Sequence, residues 1–94
     1  MTISVVVVIK SSHMQEHEYK TKDLGEASAL HACGVKLIRL DSEQNFFWFV
    51  FENNGATEIS DTYWSGELKV SAKDYNDSFR SLKERLFSRQ TSRG

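Results

Sequence analysis

The residue types that carry catalysis or metal binding occur in two places in this chain, and neither place has the spacing that the chemistry needs. His13-Met14-Gln15-Glu16-His17 follows the H-x-x-E-H pattern of zinc proteases. Here the pattern precedes a predicted strand in a chain of 94 residues, which is too short for such a protease. His31 and Cys33 lie two residues apart on a predicted helix, where side chains point apart. We therefore expect no catalytic residues, no metal site, no cofactor and no enzymatic activity.

Charged residues are distributed unevenly, although the net charge of the chain is only −1. No Lys or Arg occurs between Arg39 and Lys69, so the acids of this stretch form a negative patch if they cluster in space. The residues of this candidate acidic patch are Glu52, Glu58, Asp61 and Glu67. A solvated acidic surface without a partner is the alternative interpretation.

The C-terminal part of the chain is basic. Its excess positive charge lies at Arg85, Arg89 and Arg93. Such a tail can contact nucleic-acid phosphates, or it can dock on the acidic patch of another subunit.

Asp23 and Glu26 predict the start of a helix, because Asp23 suits the N-cap and Glu26 lies where its side chain can reach back to the cap. Apolar residues at helical spacing follow, and Gly34 can end the helix, which we place over 24–33. Strands are expected at 16–21, 35–41 and 46–52.

A second helix and a last helix follow these strands. Ala56, Ile59 and Tyr63 recur at helical spacing before Gly66, and residues 68–70 read as a short strand or an extended connector. The clearest pattern predicts a final helix over 72–88. The element order predicts an α+β fold: a small antiparallel or mixed sheet in split β-α-β (ferredoxin-like) order, with an added C-terminal helix.

The domain organisation follows from the same pattern. We expect a single α+β domain over 14–88 and a frayed tail over 89–94. Residues 1–13 include four consecutive valines and then Ser-Ser-His-Met. They are either an extra strand or an artefact of cloning or start-site assignment.

The stretch Phe46–Phe51 is apolar at every position, which predicts a central strand covered on both faces. An aromatic third strand in this element order also suggests the RNA-recognition fold, which stacks bases on that strand. The RNA-recognition string [K/R]-G-[F/Y]-[G/A]-F-V-x-[F/Y] fails, however, because Asn45 and Phe46 stand at its first two positions. Core packing is therefore the favoured interpretation of these aromatic side chains.

Four segments carry a family resemblance: Tyr19–Leu24, Phe49–Glu52, Tyr63–Val70 and Leu82-Lys83. The third contains Tyr-Trp-x-Gly-Glu-Leu, which is the most specific of them. Through these segments, residues 18–87 resemble short bacterial and phage proteins that share a domain of unknown function. The resemblance implies a cytoplasmic protein of prokaryotic or phage origin, and it implies no activity.

Tyr63 and Trp64 have two interpretations. They form a packed corner that Gly66 turns, or they anchor a partner, since Tyr and Trp are enriched at binding hot spots. The 11 aromatic residues and the complementary charges favour a small non-enzymatic interaction module that forms a homo-oligomer. The alternative is an accessory protein that binds single-stranded nucleic acid through Arg85, Arg89 and Arg93. We expect no membrane association and no small-molecule ligand.

Overall fold

A computed structural model describes residues 17–91 of the chain, and the side chains of 17–89. Predictions for residues 1–13 and for Arg93 fall outside the described residues. The strands are β1 (Glu18–Thr21), β2 (Leu37–Ser42) and β3 (Phe47–Glu52), and the helices are α1 (Leu24–Ala32), α2 (Ala56–Trp64) and α3 (Ala72–Thr91). Helix α3 begins where predicted and extends three residues past the predicted end at 88. Residues 67–71 form a connector without regular secondary structure, so the predicted short strand at 68–70 is absent.

The three strands form one sheet in the order β1-β3-β2, and both neighbouring pairs are antiparallel. Strands β1 and β2 therefore run in the same direction on either side of β3, with α1 as the crossover between them. This is the split β-α-β arrangement. The predicted α+β fold with an added C-terminal helix is confirmed.

At the start of α1, tertiary contacts replace one of the two hydrogen bonds that a capping box predicts. Asp23 is the N-cap, and its side chain accepts a hydrogen bond of 2.7 Å from the Glu26 backbone N–H. The Glu26 side chain was expected to return the bond to Asp23. It turns instead toward β1 and α2, where hydroxyl groups bind its carboxylate.

The core lies on one face of the sheet. Phe49 and Phe51 are fully buried there against Leu30 of α1, Ala56 of α2 and Leu82 of α3. This packing uses the side chains at alternate positions of β3, as expected for a pleated strand. The prediction that β3 is central is confirmed.

The second face of the sheet differs from the prediction. It was expected to lie under a second layer, but all three described helices pack on the Phe49 side. Val50 is nevertheless buried, and its cross-strand neighbours are Lys20 and Arg39. The Arg39 guanidinium reaches Glu18 of β1, so its side chain spans β3 beside Val50. A long side chain thus takes part of the role that a second layer was expected to play.

Candidate interaction surfaces

A cleft lined by three arginine residues lies between β2 and α3. Its volume is about 380 Å³, and Arg39 and Leu40 of β2 face Arg85, Ser88 and Arg89 of α3 across it. We call it the arginine cleft. The structure therefore brings together two of the three predicted basic residues, and it adds Arg39 from a distant part of the sequence.

Two of these arginines are held by the fold. Arg89 donates a hydrogen bond of 2.9 Å to the Leu40 carbonyl oxygen, and its guanidinium lies 5.3 Å from the centroid of the Phe47 ring. Arg39 forms ion pairs with Glu18 at 3.0 Å and with Asp41 at 2.8 Å. Arg39 donates hydrogen bonds to these two carboxylates, which raise the pKa of its guanidinium, so its charge is permanent.

Arg85 is an arginine of the cleft whose guanidinium the fold leaves open. It is exposed, and it forms no ion pair with any residue of 17–89. Its field reaches the neighbouring α1, where burial and the charge of Arg85 together lower the pKa of His31. A positive charge without an internal partner, at the rim of a cleft, is available to an anion from outside the molecule.

The predicted acidic residues all lie on the surface. Glu52 ends β3, Glu58 and Asp61 lie on α2, and Glu67 follows α2; each of the four is exposed. We call these four residues the acidic surface. Lys36 adjoins one edge of it, because the Glu52 backbone N–H donates to the Lys36 carbonyl.

Arg89 of the arginine cleft and Glu52 of the acidic surface lie at different ends of the central strand. Phe47, at the start of β3, lies beneath Arg89, whereas Glu52 ends the strand at the acidic surface. The rise of a strand, about 3.3 Å per residue, separates these two positions by about 17 Å. At this distance Arg89 and Glu52 do not pair with each other within one chain, whereas Arg39 of the cleft lies opposite Val50 and forms ion pairs with Glu18 and Asp41.

The corner at the end of α2 combines the two predicted interpretations of Tyr63 and Trp64. Tyr63 packs inward: a Cβ atom on Gly25 would lie 2.7 Å from its hydroxyl oxygen. Trp64 is 60% exposed, and its ring stands edge-on to the Tyr63 ring with 5.0 Å between the two ring centroids. Gly66 then turns the chain with a φ of +84°. Tyr63 is thus a packing residue, and Trp64 presents its indole to solvent.

Beneath Trp64 lies a buried carboxylate that sequence reasoning missed. Glu26 is 4% exposed, and its carboxylate contacts the hydroxyls of Ser60 at 2.5 Å, Tyr19 at 2.6 Å and Thr21 at 2.7 Å. Burial raises the pKa of Glu26, but hydrogen bonds from these hydroxyls and from Trp64 outweigh burial and lower it. We call this cluster the Glu26 network. Sequence spacing does not show this cluster, because its donors come from two elements, β1 and α2, that are far apart in the sequence.

The described residues contain no group of three His, Cys, Asp or Glu side chains placed to hold a metal ion. His31 and Cys33 are not paired: Nδ1 of His31 lies 2.8 Å from the Ser78 hydroxyl, and Cys33 is exposed. None of the helices within residues 17–91 is long and apolar enough to cross a membrane.

Comparison with known families gives one match. Residues 16–88 match the family described as Domain of unknown function (DUF5659). The chain belongs to this family. No curated protein and no solved structure matches the chain significantly. The family range begins just before β1 and ends inside α3, so it contains Glu26, Trp64 and Arg85, whereas Arg89 lies one residue outside it.

Proposed function

We propose that the protein is a non-enzymatic interaction module that associates with copies of itself. In this proposal the arginine cleft of one copy receives the acidic surface of another. The observation that carries the proposal is the arginine cleft, in which Arg85 lies beside Arg39 and Arg89 and forms no ion pair among residues 17–89. Complementary patches of this kind steer association and select the partner.

Two features favour binding over catalysis. The Glu26 carboxylate, the most buried charged group, is bound by hydroxyls of the same chain, so its hydrogen-bonding capacity is used within the fold. The Ser78 hydroxyl that contacts His31 belongs to a residue only 5% exposed, so a substrate cannot reach it without a rearrangement. Neither group is placed as a nucleophile or as a general base for an external molecule.

The experiment is size-exclusion chromatography with light scattering, at micromolar protein and at two salt concentrations. We expect a mass above that of the 10.8 kDa chain at low salt, and a shift toward the monomer at high salt. The physical reason is screening, since the Debye length falls from about 10 Å at 0.1 M to about 3 Å at 1 M. A monomer at every concentration and salt tested contradicts the proposal.

Single-stranded nucleic acid is the second candidate ligand of the arginine cleft. The favouring observation is that Arg85 and Arg89 share one cleft, since paired guanidinium groups are suited to phosphates. The sheet offers little aromatic surface for base stacking, because Phe47, Phe49 and the other core aromatics face the helices rather than solvent. Binding would therefore rest on the backbone phosphates rather than on stacked bases.

Fluorescence anisotropy with labelled poly-dT separates this candidate from self-association. Binding that weakens with salt and is lost in Arg85→Glu supports the nucleic-acid candidate. Absent or salt-independent binding rejects it. Arg80→Glu is the matched control, because Arg80 is also an exposed arginine of α3 but does not line the cleft.

The segment Tyr63–Val70, with its Tyr-Trp-x-Gly-Glu-Leu string, supports a bacterial or phage origin and a cytoplasmic location as part of the same proposal. Fractionation of an expressing bacterial culture tests the location. Recovery of the chain with the membrane or periplasmic fraction contradicts it.

A further inference from the structure

Trp64 combines high exposure with a fixed position. Its side chain is the most exposed among the large apolar residues 17–89, at 60%. Yet the ring stands at 81° to the Tyr63 ring, and the Tyr63 hydroxyl fills the space that the missing side chain of Gly25 leaves. An indole on an exposed helix end normally samples several rotamers. The contact with the Tyr63 ring restricts this rotamer freedom for Trp64.

The support continues into the Glu26 network. Ser60 lies one helical turn before Trp64 on α2 and donates a hydrogen bond of 2.5 Å to the Glu26 carboxylate, which also accepts hydrogen bonds from Tyr19 and Thr21. These buried contacts fix the end of α2 that carries Trp64. A ring held in its bound orientation loses little conformational entropy when a partner covers it. Trp64 is therefore preorganised for a contact.

We infer that Trp64 is the anchor residue of the self-association contact, and that its indole inserts into the arginine cleft of a second copy. This inference rests on the proposed function and names the side chain that fills the cleft. It joins two different surfaces of the chain, the end of α2 and the groove between β2 and α3.

The chemistry of both surfaces fits this pairing. The cleft offers the Arg85 guanidinium, and a guanidinium prefers the face of an indole over other aromatic rings. Asp61 and Glu67 lie three residues before and after Trp64, so carboxylates accompany the indole and can bind the arginines around it. An aromatic anchor surrounded by a charged rim is the usual arrangement of a binding hot spot.

The test is complementation between two variants in sedimentation velocity runs. Trp64→Ala removes the anchor and keeps the cleft, whereas Arg85→Glu damages the cleft and keeps the anchor. We expect each variant alone to associate at least about 30-fold more weakly than the wild type, the size of a hot-spot loss. An equimolar mixture should form a 1:1 heterodimer, because one intact anchor then meets one intact cleft.

Matched controls separate the contact from the fold. Phe87→Ala removes another exposed aromatic side chain, 56% exposed, and should leave association unchanged. Trp64→Phe keeps a ring on Tyr63 but loses the indole N–H, so it should associate more strongly than Trp64→Ala and more weakly than the wild type. If Trp64→Ala shows a reduced melting temperature, Arg85→Glu and Trp64→Phe still decide the outcome.

The outcomes distinguish this inference from the proposed function. If the wild type associates and Trp64→Ala associates equally well, the anchor is wrong and the proposed function stands. If each single variant is a monomer and mixing the two restores no association, the pairing of Trp64 with the cleft is wrong. A monomeric wild type overturns the proposed function and the anchor together.

Discussion

The Glu26 network and the arginine cleft differ in whether the fold buries and compensates their charges. Glu26 is almost fully buried and has no cation beside it, yet hydroxyl groups from β1 and α2 bind its carboxylate. Arg85 is exposed and has no ion pair within residues 17–89. A buried charge must be compensated by the fold, whereas an exposed charge can remain available to a partner. The comparison separates residues needed for folding from residues available for association.

The two regions are also linked through Trp64. Ser60, one helical turn before Trp64, donates to the Glu26 carboxylate, while Trp64 itself is 60% exposed. The segment Tyr63–Gly66 therefore has a physical explanation. Tyr63 packs over Gly25, Trp64 stands edge-on to the Tyr63 ring, and Gly66 turns the chain.

Replacing Glu26 by Ala should have the largest effect on stability. We expect the free energy of unfolding to fall by about 3 kcal/mol, because buried hydroxyl groups lose their charged acceptor. Urea denaturation followed by far-UV circular dichroism measures this. Glu84→Ala, an exposed acid of α3, is the control and should change stability by less than about 0.5 kcal/mol. Equal effects of the two substitutions contradict the structural role of Glu26.

The pH dependence of stability should reflect the titration of the Glu26 carboxylate. The folded-state pKa of Glu26 lies below its ordinary value of 4.5, so the folded chain binds this proton less tightly than the unfolded chain does. Glu26 therefore contributes its stability above pH 4.5, and this contribution is lost as the pH falls through the folded-state pKa. We expect the difference in unfolding free energy between wild type and Glu26→Gln to shrink on acidification. A difference that grows below pH 4.5 contradicts this.

Arg39→Ala should have a smaller effect, although Arg39 makes two ion pairs. The side chains of Arg39 and Glu18 are 43% and 38% exposed, and solvent screens ion pairs with this exposure, so they add little to stability. The same urea experiment checks it. A loss as large as that of Glu26→Ala would mean that the side chain protects Val50 as a core residue does.

Gly25→Ala should have the smallest effect on stability. Its main effect should be on the position of Trp64, which the Tyr63 ring supports. A Cβ at residue 25 meets the Tyr63 hydroxyl at 2.7 Å, but alanine also favours the helix over glycine by up to about 1 kcal/mol. The two effects oppose each other, so the net change in stability is small. We expect a shift in tryptophan fluorescence and weaker association. Unchanged association would show that the Tyr63 support does not position the anchor.

Much of the fold could be predicted from the sequence because local signals agree with the tertiary structure. Asp23 caps α1 as its type predicts, and Leu82 lies in the core as its helical spacing predicts. The faces of β3 could not be predicted, since Phe46–Phe51 shows no polar alternation to distinguish them. Only the register with β1 and β2 shows that Phe49 and Phe51 face the helices and Trp48 does not.

The candidate site was less accessible to sequence reasoning. Arg85 and Arg89 could be grouped because they lie one helical turn apart, but Arg39 joins them only through the packing of β2 beside α3. Glu26 carries a standard capping signal, and this signal concealed its contacts with Tyr19 and Ser60. Contacts between residues far apart in sequence leave no spacing pattern, so they emerge only from the three-dimensional structure.

The most direct test of the account combines two measurements on one Arg85→Glu sample: urea denaturation and sedimentation equilibrium. We expect an unfolding free energy equal to that of the wild type together with a loss of self-association at low salt. Arg80→Glu, examined in parallel, should keep both properties. An Arg85→Glu protein that is fully folded and self-associates as strongly as the wild type would contradict the central claim, because the arginine cleft would then not be the surface that binds the second copy.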